Sequence, residues 1–199
     1  MTTTKKSVNT RQKILDVCAR WLREQGLAFT SMANIAADLG VKTSSIYYHF
    51  ESKDALVTET LNIGIEMVHE DVRTAVEELG PDAPHRERIR AGIKAHLRAT
   101  LGSNDYSAAN ILNYAHAPPG VREQNLIVRA AYGKYWGSLL EDAQHNNEIS
   151  PDFNLSITRM FLIGALNWSV EWYDPAKGSV DDLAEHVYKL FVNGVAIRN

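Results

Sequence analysis

Cysteine is nearly absent from this chain of 199 residues: Cys18 stands alone. One thiol excludes an intrachain disulfide framework and a cysteine-rich metal site. Its helical spacing from Ile14 and Leu22 predicts a small core filler. Long apolar runs are lacking too. No stretch approaches the roughly 20 residues that cross a membrane, and the opening MTTTKKSVNTRQK has no apolar core of the signal-peptide kind. The expectation is a reducing, cytoplasmic setting with no membrane partner. Catalytic signatures are also missing: there is no HExxH, no GxSxG and no Gly-rich phosphate loop, and the seven histidines are scattered. His69–Glu70 and Glu185–His186 are sequence neighbours and so point to different helix faces. The expectation is no catalytic residue, no metal and no cofactor. Strand-like alternation and internal repeats are absent, which leaves an all-α chain.

Charge is unevenly placed. Residues 1–53 hold eight basic side chains against four acidic ones; the remainder holds 13 against 20. A basic head on an acidic body fits a DNA reader carrying a second, non-DNA domain. The expected division is a DNA-binding domain at 1–53 and a second domain at 54–199. Lys5 and Lys6 are either a basic arm or a solvated tail.

Inside the head, Thr30 to Lys53 reads as two short helices about a tight turn. Thr30 can cap the first, whose apolar face is Ile35, Ala36 and Leu39. Gly40 ends it in the left-handed conformation that only glycine adopts without Cβ strain. The second spans roughly Ser44 to Phe50. An outer helix from about Thr10 to Gln25 packs behind them, with Trp21 and Phe29 completing a small core. The pattern is a helix-turn-helix or an ordinary helical hairpin with a polar outer face. In the former the second helix enters the major groove. Lys42, Thr43, Ser44, Ser45, Tyr48 and His49 are left facing outward, and Lys42, Tyr48, His49 and Lys53 have the reach for phosphates; Arg11 could touch one as well.

The run G-V-K-T-S-S-I-Y-Y-H-F-x-S-K-D-A-L resembles the signature of the TetR family of transcriptional regulators. Tyr47 and Phe50 close the recognition helix, and Ser52, Lys53, Asp54 and Leu56 start the next. Thr30-Ser31-Met32, Ile35-Ala36 and Gly40-Val41 match as well. Ser44 stands where many members carry Gly, which bears on the bases read. The resemblance covers about the first quarter of the chain. It implies binding to a double-stranded DNA operator through Thr30, Ser31, Lys42, Thr43, Ser44, Ser45, Tyr47, Tyr48, His49 and Lys53.

The body reads as further helices, about nine in all. A long one from Ser52 to about Leu79 carries the seam Leu61, Ile65, Val68, Val72, Ala75 and Leu79, interrupted by Gly64, which either bends it or lets it pack closely. It is the natural lever between head and body. The last two helices, Leu155 to about Tyr173 and Val180 to about Ile197, are apolar over wide faces. Phe161, Gly164, Ala165, Trp172, Val187, Leu190, Phe191 and Gly194 suit a self-complementary homodimer contact. The resemblance implies the same, since TetR-like proteins dimerise through their last two helices. It also implies a ligand pocket in the body. By pattern its lining would be Met67, His96, Tyr106, Asn110, Tyr114, Arg129, Tyr132, Trp136, Met160 and Trp168, apolar walls with a few polar groups. The tail, with Asn167-Trp168 and Trp172-Tyr173, is similar to TetR-like repressors that answer to acyl-CoA thioesters from fatty-acid, aromatic or steroid catabolism. Arg122, Arg129 and Arg159 are the cations available for the phosphates of such an effector. The alternatives are a drug-efflux regulator answering hydrophobic cations and an architectural DNA binder without ligand.

Overall fold

The computed structural model describes the backbone of residues 2–102 and 104–195 and the side chains of residues 9–102 and 104–194. Lys5 and Lys6 therefore lie outside the described side chains. Among the described residues there are ten α-helices, two short 3-10 turns and no strand. In chain order the helices are α1 (Thr2–Glu24), α2 (Gly26–Phe29), α3 (Met32–Asp38), α4 (Thr43–Tyr47), α5 (Lys53–Glu77), α6 (His85–Leu101), α7 (Asp105–Asn113), α8 (Pro119–His145), α9 (Leu155–Trp172) and α10 (Val180–Val195). The additional helix is α2, a single turn behind Gly26, whose φ of 76° breaks α1. Further differences from the sequence reading lie at the ends. The first helix begins at Thr2 rather than near Thr10; α4 stops at Tyr47; α7 starts at Asp105 and gives way to a 3-10 turn at Tyr114–His116.

Two compact units share the chain. The first comprises residues up to Ile65 together with Asp105–Val128; the second comprises Glu66–Asn104 and the residues from Arg129 onward. Compactness thus divides the chain elsewhere than residue 53.

The core of the first unit is Ile14, Leu15, Cys18, Leu22, Ile35, Ile46, Leu56 and Leu61, with Met32 and Phe50 closing it. Burial pushes the Cys18 thiol up to about 12, so it is an inert filler. Phe29 does not join this core: it is 68% exposed. Trp21 is half-buried, its Nε1–H donating to Asp38 at 3.0 Å. Ser52 caps α5, accepting from the Ala55 amide at 3.0 Å. Gly64 answers the question its sequence position raised. A Cβ there would fall far inside van der Waals contact with the Tyr106 carbonyl, so glycine lets α5 and α7 approach backbone to backbone.

In the second unit the α5 seam runs through Val68, Val72 and Val76; Leu79 is exposed. Leucine at 79 lies past the last helical turn, where Gly80 turns the chain with φ 79°. Trp136, Ile93, Leu97, Leu140 and Leu166 form the interior. Gly92 makes room for the indole of Trp136: a Cβ at 92 would come within 3.0 Å of Cη2. Between α6 and α10, Arg98 and Lys94 meet Asp181 at 2.7 and 3.0 Å, and Arg90 meets Glu185 at 2.7 Å. These pairs are solvent-exposed, so each adds little to stability.

Gly64→Ala should therefore destabilise the chain by about 1–3 kcal/mol, the cost of overpacking. Denaturant unfolding checks this. A gain of the size that alanine brings to an open helix position would contradict the close approach.

Candidate DNA-reading face and effector core

Each turn of the head has a local cause. Ser31, not Thr30, caps α3, its Oγ accepting from the Asn34 amide at 3.1 Å. Thr30 is fully buried and its hydroxyl donates to the Gly26 carbonyl at 2.9 Å. At the other end of α3, Gly40 takes φ 66°. Its amide donates to the Ala37 carbonyl at 3.1 Å, and that of Val41 to Ala36 at 2.9 Å. These two bonds make a Schellman stop. The chain then extends through Lys42 and enters α4. Ile46 points inward, while Lys42, Ser44, Tyr47 and Tyr48 are exposed, with Tyr47 at 53% and Tyr48 at 81%. Ser31, Thr43, Ser45 and His49 are half-buried at the margin.

Two expected contact residues have partners inside the head. Thr30 is sealed in the core, and Lys53 donates from Nζ to the Leu27 carbonyl at 2.8 Å. Both hold α2, an element the sequence reading did not contain. Arg11 is likewise occupied: its guanidinium pairs with Glu59 and lies 4.6 Å over the Phe50 ring. That pairing holds its pKa above the ordinary arginine value.

The first unit ties α1 and α2 to α7 by side chains that donate and accept across the gap. The Tyr106 hydroxyl donates to Asp16 at 2.7 Å and accepts from Gln12 at 3.0 Å. Arg23 meets Asp105 at 2.7 Å. Asn113 donates from Nδ2 to the Leu22 carbonyl and accepts at Oδ1 from the Leu27 amide, both at 2.8 Å. Asn110 donates to the Leu61 carbonyl of α5 at 2.8 Å, and Asn125 donates to Asn62 at the same distance. Tyr106 and Asn110 were expected to line a pocket; here they are clamp residues.

The pocket candidates thus divide. Tyr106, Asn110 and Tyr114 belong to the first unit. In the second, His96, Tyr132 and Trp136 form one buried cluster, His96 Nδ1 lying 2.7 Å from the Tyr132 hydroxyl. His69 stands over the rings of Tyr132 and Tyr135 at 5.4 and 5.3 Å. Met67 is 37% exposed. Met160 and Trp168 are 65% and 64% exposed on α9, away from that cluster's buried interior. Arg159 donates to the Gly133 carbonyl at 2.9 Å. Arg122 is exposed on α8, and Arg129 is engaged within the molecule. Among the described residues no group of His, Cys, Asp and Glu could hold a metal ion, and no helix is long and apolar enough to cross a membrane.

The family of bacterial regulatory proteins, tetR family, matches residues 14–60, and the Tetracyclin repressor-like C-terminal domain matches residues 82–195. The chain belongs to the TetR family. It is a DNA-binding regulator of transcription, and α3 and α4 are its helix-turn-helix. It is similar to the HTH-type transcriptional repressor KstR2 of Rhodococcus jostii, 23% identical over 200 residues that cover 94% of this chain and 91% of that one. It is also similar to the fatty acid metabolism regulator protein of Bacillus subtilis, 20% identical over 189 residues that cover 92% of this chain and 94% of that one. Its fold matches AibR, solved in complex with isovaleryl coenzyme A and operator DNA, with a TM-score of 0.79 at 22% identity, over 93% of this chain and 97% of that one.

In this TetR-family chain, α9 leaves a continuous apolar stripe uncovered. Ile157, Met160, Phe161, Trp168 and Trp172 are all at least half exposed, with Gly164 and Ala165 between them, and Leu190 on α10 is 66% exposed. At helical spacing these α9 positions share one face. The dimer candidates Phe161, Gly164, Ala165, Trp172, Leu190 and Gly194 are therefore exposed in the single chain, with Val187 and Phe191 half-buried. Met160 and Trp168 lie on the same exposed stripe.

Burial holds the His96 imidazole down at about 4. The unfolded chain therefore binds more protons between that value and the ordinary ~6.5. The stabilising contribution of neutral His96 is complete above about pH 6.5 and is lost as pH falls through that window. The loss is on the order of 3 kcal/mol. His96→Phe should flatten the pH dependence of the urea midpoint between pH 7.5 and 4.5; an unchanged slope would mean His96 titrates normally.

Proposed function

We propose that this chain is a ligand-released repressor. Two copies join through α9 and α10, read a palindromic operator with their α4 helices, and let go when a small hydrophobic effector binds in the body. The observation that carries this is the uncovered stripe of α9. A single copy would leave several large aromatic and aliphatic side chains in water, where monomers seldom keep contiguous patches. A second copy buries them by two-fold symmetry. It also supplies the second reading helix that a palindrome requires, about one helical turn away.

In the head, Lys42, Ser44, Tyr47, Tyr48 and His49, with Ser31, Thr43 and Ser45 at the margin, are the residues we assign to DNA. Thr30 and Lys53 support them from behind. Residues 1–53 would serve DNA and 54–199 the effector and the dimer. The unbroken helices α5 and α8 each contribute turns to both compact units, which gives a change in one a path to the other. Only an effector with different affinity for the DNA-competent and released states can move that equilibrium. AibR was solved with isovaleryl coenzyme A, and the Bacillus subtilis relative is named for fatty acid metabolism. These support an acyl-CoA from catabolism over a hydrophobic cation. Neither catalysis nor a resident cofactor enters this reading.

Selection of DNA from a random pool by the full chain should recover an inverted repeat with half-sites about one turn apart. Phe161→Glu should give monomers by light scattering, keep its helical circular dichroism and lose tight binding to that repeat. A selected sequence without two-fold symmetry, or a Phe161→Glu protein that stays dimeric, would contradict the proposal.

A further inference from the structure

Phe29 ends α2 with its ring 68% exposed, more than Tyr47 of the reading helix. The backbone around it is held from several directions. Asn113 Oδ1 accepts from the Leu27 amide and Lys53 Nζ donates to the Leu27 carbonyl, both at 2.8 Å. Thr30 closes on the Gly26 carbonyl through its amide at 3.2 Å and its hydroxyl at 2.9 Å. The Phe29 carbonyl itself accepts from Asn34 Nδ2 at 2.8 Å, which ties it to the first turn of α3. A well-bonded turn thus presents an apolar ring to solvent. Its setting is uncharged: no side chain from Gly26 to Asn34 carries a charge, and Ala28 and Ala33 are exposed in the same run. The nearest acids along the chain are Glu24 and Asp38, and Asp38 is engaged by Arg20 and by Trp21 Nε1.

In a helix-turn-helix the first helix crosses the DNA backbone while the second enters the groove. The first is α3, and Phe29 stands just before its cap, Ser31. A lone exposed phenylalanine needs no explanation on most surfaces. This one combines a fixed backbone, an uncharged setting and a place at the start of the backbone-crossing helix. A basic side chain there would meet a phosphate; an apolar ring suits the deoxyribose carbons between phosphates. The turn is already held in the free protein, so seating the ring orders no loop, and the apolar area it buries favours binding directly. Resting on the assignment of α4 to the groove, we propose that Phe29 is a further DNA-binding residue. Its ring packs on deoxyribose carbons of the strand that α3 crosses, and the affinity it adds depends on neither charge nor base sequence. Sugar contacts carry no sequence information directly, so the ring strengthens binding to matched and unmatched duplexes alike. It displaces no counterion, so the salt dependence of binding is unchanged by it.

The test uses the full chain and two duplexes, the one selected from the random pool and a shuffled one of equal length, over a series of salt concentrations. Phe29→Ala should weaken binding to both by about five- to tenfold, as expected for part of a phenylalanine's apolar area. The slope of log affinity against log salt should stay as in the wild type. Lys42→Ala, the control, should lower that slope by about one. Phe29→Leu keeps most of the apolar area and should keep most of the affinity. Melting temperatures of the free Phe29 variants should match the wild type, because the ring is exposed in the free head. Hydroxyl-radical labelling of Phe29 in the wild type, read by mass spectrometry, should fall when either duplex is added. Wild-type affinity in Phe29→Ala with a loss in Lys42→Ala would overturn the contact and leave the DNA-reading assignment standing; a loss in neither would overturn both. A loss confined to the selected duplex would mean a base contact and overturn the sugar assignment. A melting temperature that falls with the affinity would make the ring a packing residue and overturn the proposal, as would Phe29 labelling that DNA leaves unchanged.

Discussion

The amide of Asn113 holds the first unit together. Its two ends satisfy the carbonyl of Leu22 and the amide of Leu27, the groups left open where Gly26 breaks α1. A helix end without partners in a buried place is costly. Here α7 supplies those partners, so α1, α2 and α7 are ordered together. The Tyr106–Asp16 bond and the Arg23–Asp105 pair extend the same attachment along α1. The reading helix α4 rests on α1 through Ile46 and Phe50 in a shared core. Its orientation is thereby set by a helix 60 residues further along the chain. A DNA-binding head fixed to α7 and α5 in this way cannot be re-aimed by itself. Any effector that re-aims it must shift that whole assembly.

Much of this was legible in the sequence, and the limit is physical. Gly40, Ser52 and the apolar spacings of α3 and α5 act on near neighbours, so the helix-turn-helix and the start of α5 could be read from local pattern. Side chains that satisfy a distant backbone group leave no local trace. Tyr106 and Asn110 have the composition of pocket residues, and only the contact with α1 and α5 makes them a clamp. The same holds for Thr30 and Lys53. Their position beside the motif suggested DNA, but both are bonded to carbonyls of α2, a turn created by Gly26. Phe29 misled in the opposite direction, since a lone aromatic beside a small core is exposed here. On α9 the periodicity marked a wide apolar face, and only burial separated the covered Leu162 and Leu166 from the uncovered Met160 and Trp168.

The second unit follows a different logic. Its interior is aromatic and partly polar, with Gly92 shaped around Trp136 and His96 meeting the Tyr132 hydroxyl at 2.7 Å. Coupling between the α4 face and the body then needs no dedicated pathway. It needs only a clamped head and a body with two arrangements.

Native-state hydrogen exchange of the α1 and α7 amides tests the central claim, that the head and α7 are one cooperative body. The account predicts that the two helices exchange with the same opening free energy and that Asn113→Ala lowers both together. Exchange of α1 unaffected by Asn113→Ala, with α7 alone opening sooner, would show that the head folds by itself and would contradict it.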